Sequence, residues 1–391
     1  MSVTAAEGFS AAAVAAGLKE NGEPDLAIVV NEGPEFNGAA IFTNNRAKAN
    51  PILWSEQAIR GGIVRAVVLN SGGANCFTGP EGFQLVHATA EQAAELLGPD
   101  SSPNSIQVCS TGIIGRKLPR DPLLAGLKVA FGQLSSHKSA GEEAAIAILT
   151  TDSVPKLAEV EIGGGDTKVT IGGMAKGAGM LAPDLATMLS VITTDACLSS
   201  DELREALSRA NQVSFSRLDS DGCQSTNDQV TLMASGASGI VPSLDEFVDA
   251  LSGLCVDLAR QLLADAEGAS HEITISVINA LRDEDATSVG RAIARNNLFK
   301  AAVFGNDPNW GRILAAIGTT DAAFDVYDVD VSINGVRLCH RGIPDRPASE
   351  VDLTPRKTEI LVNLRAGTSS TEIWTNDLTE KYVHFNSAYS S

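Results

Sequence analysis

Basic residues are scarce in this chain of 391 residues, because 29 Lys and Arg stand against 48 Asp and Glu, a formal net charge of −19. A nucleic-acid-binding protein neutralises phosphates with a basic face, so this balance argues strongly against that class. No apolar run reaches the length that spans a membrane. The Ala-rich stretch 9–18 lacks the positively charged lead-in of a signal peptide, since Glu7 precedes it and the first basic residue is Lys19. We therefore expect a cytoplasmic protein without a membrane segment.

Cysteine and histidine are also few, with six and five residues respectively. The cysteines form no Cys-x-x-Cys pair, which excludes the usual zinc pattern and suggests no disulfide framework, so we expect reduced thiols and no bound metal. His271-Glu272 has no second histidine one helical turn later, unlike a metalloprotease motif. The acidic loop 219–230 has Val230 where a calcium loop needs a bidentate glutamate. With so few histidines, a general base other than histidine is expected.

Hydrophobic patterning predicts a mixed α/β protein, and 44% hydrophobic residues suffice for a large core. Ser199 with Glu202, and Ser243 with Glu246, have the spacing of capping boxes at helix starts. Asn334-Gly335 between alternating segments predicts a hairpin. Further elements are predicted as strands at 26–30, 39–43, 64–69, 273–277, 358–364 and 372–374, a helix at 80–97 and another ending near 300. The order predicts an α/β core over residues 1–278 and a smaller α+β domain over 279–391.

The segment 172–189 carries the most distinctive chemistry. It has four glycines, which reach backbone angles closed to other residues, and Pro183 stiffens the approach to Ala186-Thr187. A threonine hydroxyl held against the preceding carbonyl can attack it, and hydrolysis of the resulting ester leaves an N-terminal threonine. Its α-amino group titrates near pH ~7.7–8.0, so it can serve as the general base that histidine does not provide. By composition alone, a Gly-rich structural turn is the simpler interpretation.

The order of motifs along nearly the whole chain resembles the glutamate N-acetyltransferase family, also called ornithine acetyltransferases, of arginine biosynthesis. The matching blocks are Asn70-Ser-Gly-Gly-Ala-Asn75, Ser110-Thr-Gly-Ile-Ile-Gly115, Thr150-Thr-Asp152, residues 176–189, Ser225-Thr-Asn-Asp228, Glu267-Gly268, Asp307-Pro-Asn-Trp-Gly-Arg312 and Asn386-Ser-Ala-Tyr-Ser-Ser391. The resemblance implies a layered αββα-type core around the nucleophile, with the C-terminal tail returning to the site. It also implies autocatalytic cleavage after Ala186, which makes Thr187 the nucleophile.

The same resemblance assigns roles to further residues. The family moves acetyl from N-acetyl-L-ornithine to L-glutamate through an acetyl-threonine intermediate. The family's oxyanion hole falls on Thr111 and Gly112 here, and its substrate contacts fall on Thr150, Lys176, Thr187, Glu267, Asn386 and Ser391. No cofactor is implied, but acetyl-CoA as a second acetyl donor stays open. A dimer of cleaved pairs is expected on the resemblance alone.

Each assigned residue also has a simpler structural interpretation. An isolated lysine such as Lys176 is usually a solvated surface group, and Gly112 could merely turn the chain after a strand. Glu267 could close the preceding helix with Gly268 as its cap. Asn386 and Ser391 lie in a terminal segment of the kind that normally frays. The blocks at 225–228 and 307–312 are rich in turn formers and are interpreted as supports of the site.

Three places in the sequence depart from the family pattern. Gly73 replaces a common asparagine, Cys76-Phe77 a usual Ala-Cys, and His271 a common lysine, which changes the charge near Glu267.

Two other functions stay open. An N-terminal threonine with an oxyanion hole could equally serve an amidohydrolase or aminopeptidase, with water as the acceptor. An uncut, non-catalytic protein is the third hypothesis.

Overall fold

The structure is a computed structural model that describes residues 2–182 and 188–388. The chain divides into two compact units, the first with residues 2–177, 188–216 and 224–262, and the second with residues 178–182, 217–223 and 263–388. The sequence predicted a boundary at 278. The strand Glu272–Ala280 instead groups with the second unit, because it is hydrogen-bonded to strands at Lys357–Asn363 and Ser369–Asn376.

The helices and strands follow one another in a mixed order. The strands are β1 (Phe9–Val14), β2 (Leu26–Asn31), β3 (Asn37–Phe42), β4 (Ala66–Asn70), β5 (Ile106–Ser110), β6 (Lys156–Ile162), β7 (Val169–Lys176), β8 (Leu189–Thr194), β9 (Gln229–Ala234), β10 (Glu272–Ala280), β11 (Asp330–Ile333), β12 (Val336–His340), β13 (Ile343–Pro344), β14 (Lys357–Asn363) and β15 (Ser369–Asn376). The helices are α1 (Asn50–Ala58), α2 (Gly79–Leu97), α3 (Arg120–Phe131), α4 (Lys138–Ala147), α5 (Ser200–Val213), α6 (Leu244–Ala264), α7 (Asp283–Ala294), α8 (Asn297–Phe304), α9 (Trp310–Ile317) and α10 (Glu380–Ala388).

The first unit is a sandwich of two sheets between helices. One sheet has the order β1-β2-β4-β5 and the other β3-β9-β8-β7-β6. Side chains of both sheets, such as Val67 and Leu69 from the first and Met174 and Val191 from the second, share one buried cluster. The opposite face of the first sheet packs on α1, α2 and α3. Helix α6 covers the second sheet, where Gly173 lies against two of its leucines, and α5 contacts β3. This is the layered αββα arrangement that the resemblance implied.

Two parallel strand pairs position the candidate site within the first unit. Strands β4 and β5 run in register, so that both end together at Asn70 and Ser110. Strands β8 and β9 also run parallel, and Leu189 lies opposite Gln229 at their first residues. The residues just before these two strands, Met188 and Asp228, are therefore neighbours.

The second unit is built on one mixed sheet with the order β13-β12-β11-β14-β10-β15. Its apolar face packs against α7, α8 and α9, with residues such as Ile275, Val289 and Ile313 buried together. The predicted hairpin at Asn334-Gly335 is confirmed, since it joins β11 to β12 with both turn residues at positive φ. The Asn309 side chain accepts the backbone N–H of Arg312 and so caps α9. This contact agrees with a structural role for block 307–312.

The two predicted helix starts are confirmed as well. Ser199 and Glu202 form a reciprocal capping box at the start of α5, and the Ser243 hydroxyl accepts the backbone N–H of Glu246 at the start of α6. All six cysteines are free thiols. In the described ranges, no helix combines the length and apolar character needed to cross a membrane.

Candidate active site

The loop after β5 presents Thr111 and Gly112 at the end of the first sheet. Thr111 is buried, and its backbone N–H bonds the carbonyl of Asn70 at 2.9 Å, which continues the pairing of β4 with β5. Gly112 has φ 125°, and a Cβ there would lie 2.6 Å from the backbone nitrogen of Gly73, so the position requires glycine. No acceptor among residues 2–182 and 188–388 takes the backbone N–H of Gly112. This N–H can therefore bind an added oxygen atom.

Lys176, at the end of β7, is buried with only 1% of its surface exposed. Its ammonium donates to the Thr150 hydroxyl at 2.8 Å and to the Thr111 hydroxyl at 3.1 Å. The interpretation as a solvated surface lysine is thus wrong, because two strands and a loop from distant parts of the sequence enclose the side chain. Since an ammonium has only donors, Thr111 accepts through its oxygen and keeps its own proton for another acceptor.

Asp152 is the negatively charged residue of this cluster. Its carboxylate lies 2.7 Å from the Lys156 ammonium and 3.7 Å from that of Lys176, and it accepts the backbone N–H of Gly177 at 2.6 Å. Burial alone would raise the pKa of Asp152, but the two ammonium groups and the hydrogen bonds outweigh it and lower the pKa to about 2. Asp152 is therefore an anion at neutral pH, and it stabilises the positive charge of Lys176.

The block at 225–228 lies beside this cluster in the first unit. The Asn227 side chain donates to the carbonyls of Ala74 and Ser110, at 2.6 and 2.9 Å, and so ties two loops together. Asp228 is fully buried, and its Oδ1 accepts the backbone N–H of Met188 at 3.1 Å. Burial raises the pKa of Asp228 well above its usual value, against the effects of that hydrogen bond and of nearby Lys176. The interpretation of this block as a support of the site agrees with these contacts.

In the second unit, Glu267 meets the C-terminal helix. The Asn386 side chain, on α10, donates to the Glu267 carboxylate at 2.9 Å. Helix α6 ends at Ala264, and the backbone N–H of Glu267 bonds the carbonyl of Ala178 at 3.0 Å, so Glu267 does not close that helix. A Cβ on Gly179 would lie 2.5 Å from the Glu267 carboxylate, so the backbone at Gly179 passes too close to Glu267 for a side chain to fit.

A cavity of about 200 Å³ adjoins Glu267 in the same unit. Asp221, Lys300 and Tyr382 line it together with Ser220 and Glu267. Asp221 accepts the backbone N–H groups of Met180 and Cys223, at 2.7 and 3.1 Å. Burial lowers the pKa of Lys300 to about 8, although nearby carboxylates oppose the shift. The cavity therefore combines carboxylates with a buried amine.

The structure brings the predicted residues together in two groups. In the first unit Lys176 contacts both Thr111 and Thr150, with Gly112 next to Thr111, while Glu267 and Asn386 are in contact in the second. Contact of the tail with Glu267 was not foreseeable from composition. The cleavage pair Ala186-Thr187 and the terminal Ser391 lie outside the described residues.

Comparison with known proteins decides the family. A model described as the ArgJ family matches residues 10–391. The chain belongs to the ArgJ family. It is 57% identical over 391 residues to the "Arginine biosynthesis bifunctional protein ArgJ" of Streptomyces coelicolor, with all of both chains covered. The protein of the same name from Thermobifida fusca is 55% identical, again over all of both chains.

Solved structures of ArgJ proteins are similar to parts of this chain. An ornithine acetyltransferase of Mycobacterium tuberculosis, complexed with ornithine, is 47% identical and covers 48% of this chain and 96% of its own, with a TM-score of 0.43. An ArgJ protein from Bacillus halodurans is 34% identical and covers 50% of this chain and 97% of its own, with a TM-score of 0.47.

Sequence reasoning missed several residues that the structure places in these two groups or in the cavity. Asp152 belonged to a matching block but was given no role, and Asp228 was interpreted only as part of a block that supports the site. The signal for Asp152 is that its block also contains the assigned residue Thr150. The signal for Asp228 is that it directly precedes the buried strand β9. Asp221, Lys300 and Tyr382 have no comparable signal, because only the packing of α8, α10 and loop 217–223 in the second unit encloses the cavity.

Proposed function

We propose that this ArgJ-family chain cuts itself after Ala186 and then moves acetyl from N-acetyl-L-ornithine to L-glutamate through an acetyl ester on Thr187. The observation that carries the proposal is the buried Lys176 ammonium bonded to the Thr111 hydroxyl, beside the available N–H of Gly112. Charged and polar donors fixed in this way suit the negative oxygen of an acyl-transfer intermediate.

Self-cleavage begins with attack of the Thr187 hydroxyl oxygen on the carbonyl carbon of Ala186. The C–N bond between the two residues breaks, an ester forms, and the hydroxyl proton ends on the freed amine. Water then hydrolyses the ester, which leaves a carboxylate on Ala186 and a free α-amine on Thr187. The anchoring of Met188 by Asp228 supports this step, since it holds the residue that follows the threonine.

Acetyl transfer repeats the same chemistry on the substrates. The Thr187 amine takes the hydroxyl proton as the oxygen attacks the acetyl carbonyl, and Thr111 with Gly112 stabilise the oxyanion. The C–N bond to ornithine breaks, and the proton passes to the leaving amine. The neutral amine of glutamate then attacks the acetyl-Thr187 ester, which gives N-acetylglutamate and restores the threonine.

We assign the substrate contacts by charge. Lys176 and Thr150 take the carboxylate of the substrate, and Glu267, oriented by Asn386, takes the side-chain ammonium of ornithine. Ser391 joins them from the C-terminus. No cofactor is needed, and acetyl-CoA enters only as an alternative donor. We further propose a cytoplasmic dimer of cleaved pairs, which sedimentation of the purified protein checks.

The test combines intact mass with an activity assay. We expect two fragments of 186 and 205 residues, counted from Met1 to Ser391, and ornithine release that depends on both N-acetylornithine and glutamate. Thr187→Ala is expected to leave one uncut, inactive chain. An active wild-type protein of unbroken mass would overturn the cleavage mechanism, and steady ornithine release without glutamate would indicate a hydrolase instead.

A thiol-release assay with acetyl-CoA and glutamate tests the second donor. Thiol release that is lost in Thr187→Ala assigns that reaction to the same nucleophile. Absence of release restricts the enzyme to N-acetylornithine as donor.

A further inference from the structure

The cavity beside Glu267 has an unusual mixture of charges. Lys300 on α8 is buried, with 4% of its surface exposed, and it lines the cavity together with the carboxylates of Asp221 and Glu267. A purely cation-binding subsite would not place a lysine there, because a second positive charge repels the ligand.

Lys300 is held by neutral groups alone. Its ammonium donates to the carbonyl of Ser220 and to the Thr375 hydroxyl, the latter at 3.2 Å. Within residues 2–182 and 188–388, no carboxylate oxygen lies within 4.0 Å of this nitrogen. An ammonium has three donors, so one donor remains for a ligand. A buried charge without an ion-pair partner is costly, and an anionic ligand in the cavity would remove that cost.

The two proposed amino-acid substrates, ornithine and glutamate, differ in the charge at the end of the side chain. The side-chain nitrogen of ornithine and the side-chain oxygens of glutamate both lie four bonds from Cα, so they reach the same depth with opposite charges. Because the two substrates bind in turn, one cavity has to accept both ends. A fixed carboxylate and a fixed ammonium in one cavity meet this requirement.

We propose that Lys300 determines the acceptor specificity of the second half-reaction by binding the side-chain carboxylate of glutamate, while Glu267 binds the ammonium of ornithine in the first. The proposal rests on the proposed acetyl transfer. Arg295, the other cation that lines the cavity, is paired with Asp219 at 2.8 Å. Lys300 has no ion-pair partner within residues 2–182 and 188–388, and we therefore assign the acceptor carboxylate to it.

The two half-reactions separate this role from a structural one. In Lys300→Met, we expect the burst of ornithine from N-acetylornithine alone to stay at one per active site, with an unchanged KM for N-acetylornithine. The KM for glutamate should rise about 10- to 100-fold, the range for loss of a charged hydrogen bond. Lys300→Arg should recover most of the affinity, and Lys357→Met, at an exposed position on β14, should behave as wild type.

Other outcomes overturn the proposal in distinguishable ways. If both KM values rise together, or if only kcat falls, Lys300 is a structural residue. If wild type itself gives no burst of ornithine, the proposed acetyl transfer fails, and this inference fails with it.

A second measurement needs only the wild-type protein, in case Lys300→Met does not fold. The ratio of kcat/KM for glutamate to that for glutamine compares a charged with a neutral acceptor, and the titration of the acceptor amine largely cancels. We expect the ratio to fall above pH 8, since burial lowers the pKa of Lys300 to about 8. Of the acidic groups that face Lys300, burial raises the pKa of Asp221 and raises that of Asp219 to about 6, while hydrogen bonds from Ser270 and His271 outweigh burial and lower the pKa of Asp377. Burial also raises the pKa values of the Cys223 thiol and the Tyr382 hydroxyl. A ratio independent of pH from 7 to 10 would contradict the assignment.

Discussion

Asp228 accepts the backbone N–H of Met188 at 3.1 Å, and so a fully buried carboxyl anchors the residue that directly follows Thr187. The parallel register of β8 and β9 produces this contact, because Leu189 lies opposite Gln229 and the preceding residues are therefore neighbours. The second oxygen of Asp228, Oδ2, is buried and has no hydrogen-bond partner within the described ranges. The contact with Met188 is thus made through Oδ1.

Removing this anchor should slow self-cleavage. Asp228→Ala leaves the Met188 N–H without its acceptor, a loss of about 1–3 kcal/mol that loosens the chain at the threonine. We expect uncut chain to persist for hours after expression, as measured by denaturing gel or intact mass. Asp228→Asn keeps an acceptor oxygen of the same shape and should cleave nearly as fast as wild type. Equal cleavage rates for Asp228→Ala and wild type would remove Asp228 from this role.

Gly112→Ala should reduce both stability and turnover. The added Cβ would lie 2.6 Å from the backbone nitrogen of Gly73, at a φ of 125°, so the oxyanion loop must shift. Loss of one oxyanion donor lowers kcat by about 10²- to 10³-fold. Gly115→Ala is the matched control, because Gly115 also has positive φ but no atom near its Cβ position. It should lower the melting temperature slightly and leave kcat close to wild type; a similar loss of kcat in both variants would contradict the oxyanion role.

We expect the ionisation of Asp152 to make the free energy of unfolding depend on pH in the acidic range. Its pKa is about 2 in the folded state against about 3.9 when unfolded, so its contribution is present above pH 4 and is lost as the pH falls towards 2. Asp152→Asn removes the carboxylate that lies between two buried ammonium groups, which costs about 3–5 kcal/mol at pH 7.

Urea unfolding at several pH values checks this in the Thr187→Ala background, where the chain is expected to stay continuous. The difference between Asp152→Asn and its parent should shrink between pH 4 and pH 2. Asp201→Asn, which removes an exposed ion pair with Arg204, should cost less than about 1 kcal/mol at every pH. A difference that does not change with pH would show that Asp152 acts through shape rather than charge.

Glu267→Gln should affect the first half-reaction selectively. It keeps the size of the side chain and a partner for Asn386, but it removes the negative charge that we assign to the ornithine ammonium. The KM for N-acetylornithine should rise about 10-fold or more, with little change for glutamate. Steady-state kinetics with each substrate varied in turn measures the split, and a larger effect on glutamate would reverse the assignment.

Much of the local structure was predictable from the sequence. The capping box of Ser199 with Glu202 and the hairpin at Asn334-Gly335 depend on residues within a few positions of each other, so their chemistry is visible in the chain itself. The order of motifs was also enough to identify the family, and the resemblance implied that the tail carrying Asn386 returns to the site.

The sequence alone determined local elements such as the strand at 26–30, the helix at 80–97 and the turn at Asn334-Gly335, together with the family pattern that points to Thr187. Only the tertiary structure decided that Lys176 is buried between Thr111 and Thr150, and that Lys300 lines a cavity with Asp221 and Glu267. The physical reason is that burial and charge depend on which segments pack together. Residues 65 positions apart, such as Thr111 and Lys176, meet only after the two sheets of the first unit have stacked.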